Sequence, residues 1–444
     1  MKEKKRIYKI SIVLYIILMS ILFIVFFKKT FATNDKGILF RYSFNMSKFV
    51  FALFASFFCG VFVYKRRVKN TLTDTIILIL EVLYFIPGFI FQAVTDMAWP
   101  YIFFYFMFYV FMITWSKIIK PQKSSPIFKI TIRTKSTNTY INIMTAICIL
   151  VAMIFVVYDG GFSFEKLMYT FNNVYEVRSE QSSIHWILVN FEYWACYMGT
   201  ILITYHIIKK NYLRVIFLGV AELALFTLQG NRIFVFVAGI AVVVGFVKLS
   251  NKSIIIYASV LATLILIECL AFPQGGLVTD VFRRYAVSTN RISEQFFDYF
   301  LVHEPDFLRL NYSRILTPMG LSSPYEEVSI AKIIGNTYYG WNMGANTGMV
   351  GGSFGALGYI SLFLSTFGYI LTYRLFEGVT YQFKNTGVTV TLSIILATLS
   401  INCATFLANL CNLNYFLLMY ISLALMTKSK EKNVDVVESG KNSI

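Results

Sequence analysis

The chain is built of long apolar runs with at most an isolated charge, separated by polar turns, rather than of strand-like alternation or a half-apolar helical stripe. Ile7–Phe27, Thr75–Val94, Tyr140–Tyr158 and Ile254–Phe272 each supply the roughly twenty residues that cross ~30 Å of hydrocarbon as a helix. In lipid the backbone must satisfy itself, which leaves helices or closed barrels, and the dyad pattern of barrel strands is missing. The pattern predicts an all-α, polytopic membrane bundle of about twelve spans, near 7–27, 49–64, 75–94, 100–116, 140–158, 184–207, 213–228, 233–248, 254–272, 351–372, 389–407 and 410–426. The whole chain, 1–444, is expected to be one polytopic domain. It carries a large outer loop over 273–350 and an inner tail over 427–444.

Composition agrees: 57% hydrophobic and 14% charged residues stand far from soluble averages of roughly 45–50% and 25%. The net charge of +17 would suggest nucleic acid, but its distribution gives a plainer origin. With the amino terminus inside, the inner side collects Lys2, Lys4, Lys5, Arg6, the cluster Lys65–Arg66–Arg67–Lys69, the loop Lys117–Lys135 and the Lys428–Lys432 tail. Basic inner loops are what the positive-inside rule requires, so both termini are expected inside and nucleic acid is not expected as a partner. The first outer loop breaks the trend with Lys28, Lys29, Lys36, Arg41 and Lys48. The first run follows a basic start but has no small-residue cleavage site after Phe27, so it is expected to stay as an anchor. Cys59, Cys148, Cys196, Cys269, Cys403 and Cys411 lie in or beside apolar spans without CxxC or Cys/His spacing, which predicts neither disulfides nor a metal site.

Two outer segments are long, Asp159–Ser183 and Pro273–Val350, and long connections tend to carry function. Within the second, Arg283–Val302 reads as an amphipathic helix lying in the membrane interface. Arg284, Ser288, Arg291, Gln295 and Asp298 fall on one face, and Tyr285, Ile292, Phe296, Tyr299 and Phe300 on the other. Its arginines are either solvated or a bidentate grip for phosphate. His303, Glu304, Asp306, Glu326 and Glu327 follow, with Arg309 and Arg314 among them; an imidazole or carboxylate there could accept a proton from a sugar hydroxyl. Next, Gly340, Gly344, Gly348 and Gly352 recur every fourth residue, joined by Gly351, Gly355 and Gly358. On a helix this stripe permits close packing. The interleaved Asn336, Asn342, Asn346 and Thr347 could instead offer polar groups to a polyhydroxylated ligand. Glu81, Glu192, Glu222 and Glu268 fall within spans, where ionisable groups are costly and are usually paired or functional. Arg232 lies in a tight outer turn, Gln229–Gly230–Asn231–Arg232.

The turn Gly230–Asn231–Arg232 opening an apolar span resembles the Gly–Ser–Arg-type element of the oligosaccharide repeat-unit polymerases, the Wzy type, with Asn231 where that family has serine. Asn346–Thr347–Gly348 and Gly351–Gly352, running into Phe354–Gly355–Ala356–Leu357–Gly358–Tyr359, are similar to the element that follows the family's large external loop. Span count, inside termini and a late outer loop match too. The resemblance implies a fold like that of the GT-C lipid-linked-sugar transferases. The activity would be an inverting glycosyl transfer on the outer face of the bacterial cytoplasmic membrane, in capsule, O-antigen or exopolysaccharide synthesis. Donor and acceptor would be oligosaccharides on undecaprenyl diphosphate, and membrane lipid, a flippase and a chain-length regulator would be the other partners. No cofactor is implied. Arg232, Arg283, Arg284, Arg291 and Arg314 would hold the diphosphate, with His303 as base and Glu304 or Asp306 as substitutes. Asn336, Asn342 and Asn346 would meet sugar. An O-antigen-ligase-like transferase shares this donor and face; a flippase would instead spread its charges through a central cavity.

Overall fold

A computed structural model describes residues 2–31, 41–121, 137–158, 163–172, 186–229, 232–247, 249–272, 275–310, 312, 316–325, 328–340, 344, 347–381, 386–402 and 414–428. Among them no strand forms; the only β pairing is an isolated bridge between Tyr42 and Thr95. Among the described residues, seven helices are long and apolar enough to cross a membrane: Arg6–Phe31, Met46–Arg66, Leu72–Ala93, Trp99–Ile118, Thr139–Val157, Asn251–Ala271 and Met349–Thr380. The other expected spans fall on Trp186–Ile208, Tyr212–Gln229 and the shorter apolar helices Phe234–Phe246, Gly387–Asn402 and Tyr415–Met426. The chain is an all-α protein with several helices suited to a bilayer. The tail beyond Lys428 lies outside the described residues.

The helices divide between two compact units. The first comprises Met1–Lys120, Ser250–Tyr373 and Leu396–Ala408. Its elements are α1 (Lys2–Ile21, continued by a π segment, Leu22–Phe31), α2 (Met46–Arg66) and α3 (Leu72–Leu80). A π segment, Glu81–Phe85, joins α3 to α4 (Ile86–Ala93), and α5 (Trp99–Ile118) follows. Local chemistry sets the boundaries. Asn45 caps α2 by accepting from the Lys48 N–H at 3.1 Å, and Thr71 caps α3 through the Asp74 N–H at 3.2 Å. After Ser250 come α11 (Asn251–Ala271), α12 (Leu277–Phe282, with a π segment Arg283–Ser288) and α13 (Thr289–Val302). Then come α14 (Ile330–Tyr339), α15 (Met349–Leu357) and the start of α16 (Ser361–Thr380). Glu268, expected within a span, reaches past the end of α11. It accepts from the Thr279 N–H at 2.7 Å and hydroxyl at 2.8 Å, and from the Val278 N–H at 3.2 Å. The carboxylate thus fills the orphan donors that open α12. Glu81 pairs with Arg66 at 2.6 Å, and Arg66 also faces Asp74 at 3.4 Å.

The second unit comprises Pro121–Leu249, Arg374–Ile395 and Asn409–Ile444. It packs α6 (Thr137–Tyr158), α7 (Phe164–Asn172), α8 (Trp186–Ile208), α9 (Tyr212–Gln229) and α10 (Arg232–Phe246) with α18 (Tyr415–Lys428) and parts of α16 and α17 (Thr386–Asn402). Its buried polar groups are mostly matched: His206 Nε2 lies 2.9 Å from the Thr145 hydroxyl, Trp194 donates to Ser422 at 3.0 Å, and Arg374 pairs with Glu377 at 2.9 Å. Glu192 and Glu222 are both buried. Gly199 makes the space for Glu222, since a Cβ there would lie 2.4 Å from Oε1.

In the first unit α13 packs on α15, and the small-residue stripe is the reason. A Cβ on Gly351 would lie 2.4 Å from Ser293 Cα and 2.7 Å from its carbonyl, and one on Gly355 would lie 2.8 Å from the Phe300 ring. The close-packing reading therefore holds for these glycines. The stripe is not one helix: Gly340, at φ +69°, ends α14, and α15 begins only at Met349. Gly351→Ala is expected to destabilise the protein by about 1–3 kcal/mol, because backbone, not a movable side chain, occupies the space. Gly344→Ala, with open space around its Cβ, should leave unfolding temperature in detergent unchanged; equal melting of both variants would contradict this packing.

Candidate active site at the Arg291 cluster

The helix expected to be amphipathic is a packed element, covered in part on its polar side as well. Ile292, Phe296, Phe297 and Phe300 of α13 are buried, and so are the polar Asn290, Ser293, Glu294 and Gln295. The polar face of Arg284, Ser288, Arg291, Gln295 and Asp298 is thus partly covered: Ser288 and Gln295 are buried, while Arg284 and Asp298 stay exposed. The contacts come from α5, the end of α14 and the residues just before α15. Tyr101 donates to the Asn290 carbonyl at 3.3 Å, and Ser293 meets the Thr347 hydroxyl at 3.0 Å.

At the centre stands Arg291. Its Nη1 lies 3.2 Å from Asp96 Oδ1, in the turn between α4 and α5, and also bonds Glu294 Oε2 one turn along α13. The same turn is held by Lys48, whose ammonium donates to the Met97 carbonyl at 2.6 Å. Tyr339 donates to Gln295 Oε1 at 2.7 Å, bringing the end of α14 to the same side of α13. Arg291 Nε is buried and makes no hydrogen bond. Among the described residues, no three His, Cys, Asp or Glu groups converge closely enough to hold a metal ion.

Electrostatics single out Glu294. Only 5% of its side chain is exposed, and burial pushes its carboxyl up to about 7, with Arg291 pulling the other way and Asp298 and Asp96 adding to the rise. Asp298, at the rim, is also raised, by desolvation first and Asp96 second, again against Arg291. Burial likewise pushes the Tyr338 phenol up to about 12. A covered carboxyl that is half-protonated near neutrality can both take and return a proton.

The residues expected from the sequence divide around this cluster. His303 is exposed at the end of α13, its ring stacked on Tyr299 at 3.9 Å and 4°. Its Nδ1 lies 2.8 Å from the Tyr299 carbonyl. A carbonyl only accepts, so Nδ1 carries the proton and Nε2 of the neutral ring is the basic nitrogen. Glu304 is exposed and pairs with Arg309 at 2.8 Å. Asp306 is buried and fully engaged, accepting from the Ser323 hydroxyl at 2.6 Å and the Leu310 N–H at 2.9 Å while its own N–H donates to the Gly355 carbonyl at 3.1 Å. It fixes a loop in which Phe307 and Leu308 take positive φ values of 51° and 63°.

Arg283 points away from Arg291. It pairs with Asp280 at 3.1 Å, donates to the Thr30 carbonyl at 2.9 Å and covers the Phe31 ring at 5.6 Å. Asn336 is exposed on α14. Arg314, Glu326, Glu327, Asn342 and Asn346 lie outside the described residues, as does the side chain of Arg232, whose backbone opens α10. No sequence motif marks Glu294, Asp96 or Lys48 as site residues. The three-residue spacing of Arg291 and Glu294 was the one readable sign.

No family model, no curated protein and no solved structure matches the chain.

Proposed function

We propose that this protein is a membrane glycosyltransferase that joins oligosaccharide repeat units carried on undecaprenyl diphosphate, working at the outer surface of the bacterial cytoplasmic membrane across about twelve spans. The observation that carries the reading is Glu294, a covered carboxyl raised toward neutral and paired with the Arg291 guanidinium, on a helix held between apolar spans. In the reaction, an acceptor sugar hydroxyl attacks the donor's anomeric carbon with inversion. The bond from that carbon to the diphosphate oxygen breaks, and the hydroxyl proton passes to the Glu294 carboxylate. Cationic side chains stabilise the departing diphosphate most in a water-poor site; the exposed Arg284 and the part-buried Arg291 supply that charge. Arg291 is already shared with two carboxylates, so its part is to orient oxygen atoms rather than to neutralise them alone. Tyr338 and Tyr339 offer flat, amphipathic surfaces of the kind that sugars stack on.

The test is transfer by the purified full chain, in vesicles, on synthetic lipid-linked repeat units. A ladder of products is expected, and its absence across acceptor types would overturn the reading. In the same assay His303→Ala should lose less than about ten-fold, since it sits at the exposed rim. A loss of 100-fold or more would move the proton-accepting role from Glu294 to His303.

A further inference from the structure

Lys28, one of the cations that break the positive-inside trend in the first outer loop, stands at the end of an apolar groove. α1 and α2 touch tightly at Gly60, where a Cβ would lie 3.0 Å from Ile12 Cγ2, and part toward the other end to leave a groove of about 350 Å³. Ile17, Ile21 and Val25 line one wall, and Phe49, Leu53 and Phe57 the other. Ser20, the one hydroxyl in the lining, donates to its own helix at the Ile16 carbonyl, 2.8 Å away. The next turn of α1 past Val25 carries Lys28, which is exposed. Arg41, also exposed, is brought to the same end by its neighbour Tyr42, whose ring lies 6.0 Å from that of Phe27. The amino end of α2, with its positive dipole, opens there too.

We propose that this groove is a binding site for one anionic diacyl phospholipid, an acyl chain lying between α1 and α2 and the phosphate at Lys28 and Arg41. Length favours that occupant over a polyprenyl phosphate. From Ile16 to Val25 the groove runs roughly 14 Å at 1.5 Å per residue, about half of a ~30 Å hydrocarbon core, which is the depth of one leaflet. A polyprenyl chain of undecaprenyl length would far overrun it. Charge favours an anionic headgroup, because each basic side chain near a phosphate layer adds attraction equivalent to about five-fold in binding. The inference stands apart from the transfer reaction, since none of these residues belongs to the Arg291 cluster.

The full chain, reconstituted with equal phosphatidylglycerol and phosphatidylcholine and then stripped in detergent, should retain phosphatidylglycerol in native mass spectra at least about five-fold over phosphatidylcholine. The double variant Lys28→Gln/Arg41→Gln should bring that ratio near one while lipid is still bound. Leu53→Trp, which fills the groove from a half-exposed position, should remove retained lipid of both kinds with unchanged melting. A wild-type ratio near one, indifference to both sets of substitutions, or displacement of phosphatidylglycerol by an equal concentration of undecaprenyl phosphate would each overturn the proposal.

Discussion

Glu294→Gln is expected to lower glycan transfer at least about 100-fold while the protein still extracts as a monodisperse species. Glutamine keeps the shape and can still accept from Arg291, so packing between α13 and α15 is preserved. What it removes is the proton acceptor, and a positioned base contributes about 10²–10⁴ to such a step. The pH dependence gives the same residue a second signature. With its carboxyl near 7, wild-type transfer should rise as pH passes through that value, because the ionised form is the base. Arg291→Gln takes away the cation that pulls the carboxyl down, so the limb should move to higher pH. A Glu294→Gln enzyme with more than a tenth of wild-type turnover would exclude the role.

Stability gives an independent check on Glu294. Its folded-state value lies above the ordinary 4.5, so the folded protein holds this proton where the unfolded chain has released it. That stabilising contribution is complete below about pH 4.5 and is lost as pH rises toward 7, a change of about 3 kcal/mol at 1.36 kcal/mol per unit. Glu294→Gln lacks this titration, so it should melt higher than wild type at pH 8 relative to pH 5. Transfer and melting therefore move in opposite directions on the same substitution, which simple misfolding would not produce.

The helices were legible because their signal is local: twenty apolar residues either reach across a bilayer or do not. The Gly351 contact with Ser293 was foreseen in kind but not in partner, since a small-residue stripe says that something comes close without saying what. The cluster at Arg291 was the least legible. Asp96 is 195 residues away in the chain, and Glu294 sits between Ser293 and Gln295 in a pattern that gives no hint of burial on the polar face. The amphipathic period of α13 is real, but its polar face is partly covered, because Tyr101 of α5, Tyr339 of α14 and Thr347 just before α15 reach groups that a lone helix would leave to water and headgroups. Asp306, chosen from sequence for its chemistry, is committed to a loop that rests on Gly355.

Arg66→Met is expected to cost about 3–5 kcal/mol, the usual result of stripping one partner from a buried ion pair. Arg66 is buried at the end of α2, where Nη1 bonds Glu81 at 2.6 Å, Nε faces Asp74 at 3.4 Å and Nη2 reaches the Ser116 hydroxyl at 3.3 Å. Removing it leaves two carboxylates of unequal fate. Asp74 keeps the Thr71 hydroxyl at 2.8 Å and Lys69 at 3.7 Å. Glu81 is completely buried, where α3 passes into its π segment, and keeps only Tyr109, which donates at 2.9 Å. The penalty should therefore be concentrated on Glu81. The double variant Arg66→Met/Glu81→Gln should recover most of the loss, because a neutral amide can use the Tyr109 hydroxyl and no longer needs a cation. Unfolding followed in detergent would measure the cycle. A single variant within 1 kcal/mol of wild type, or a double variant no better than the single, would show that Arg66 and Glu81 do not lock α2 to α3.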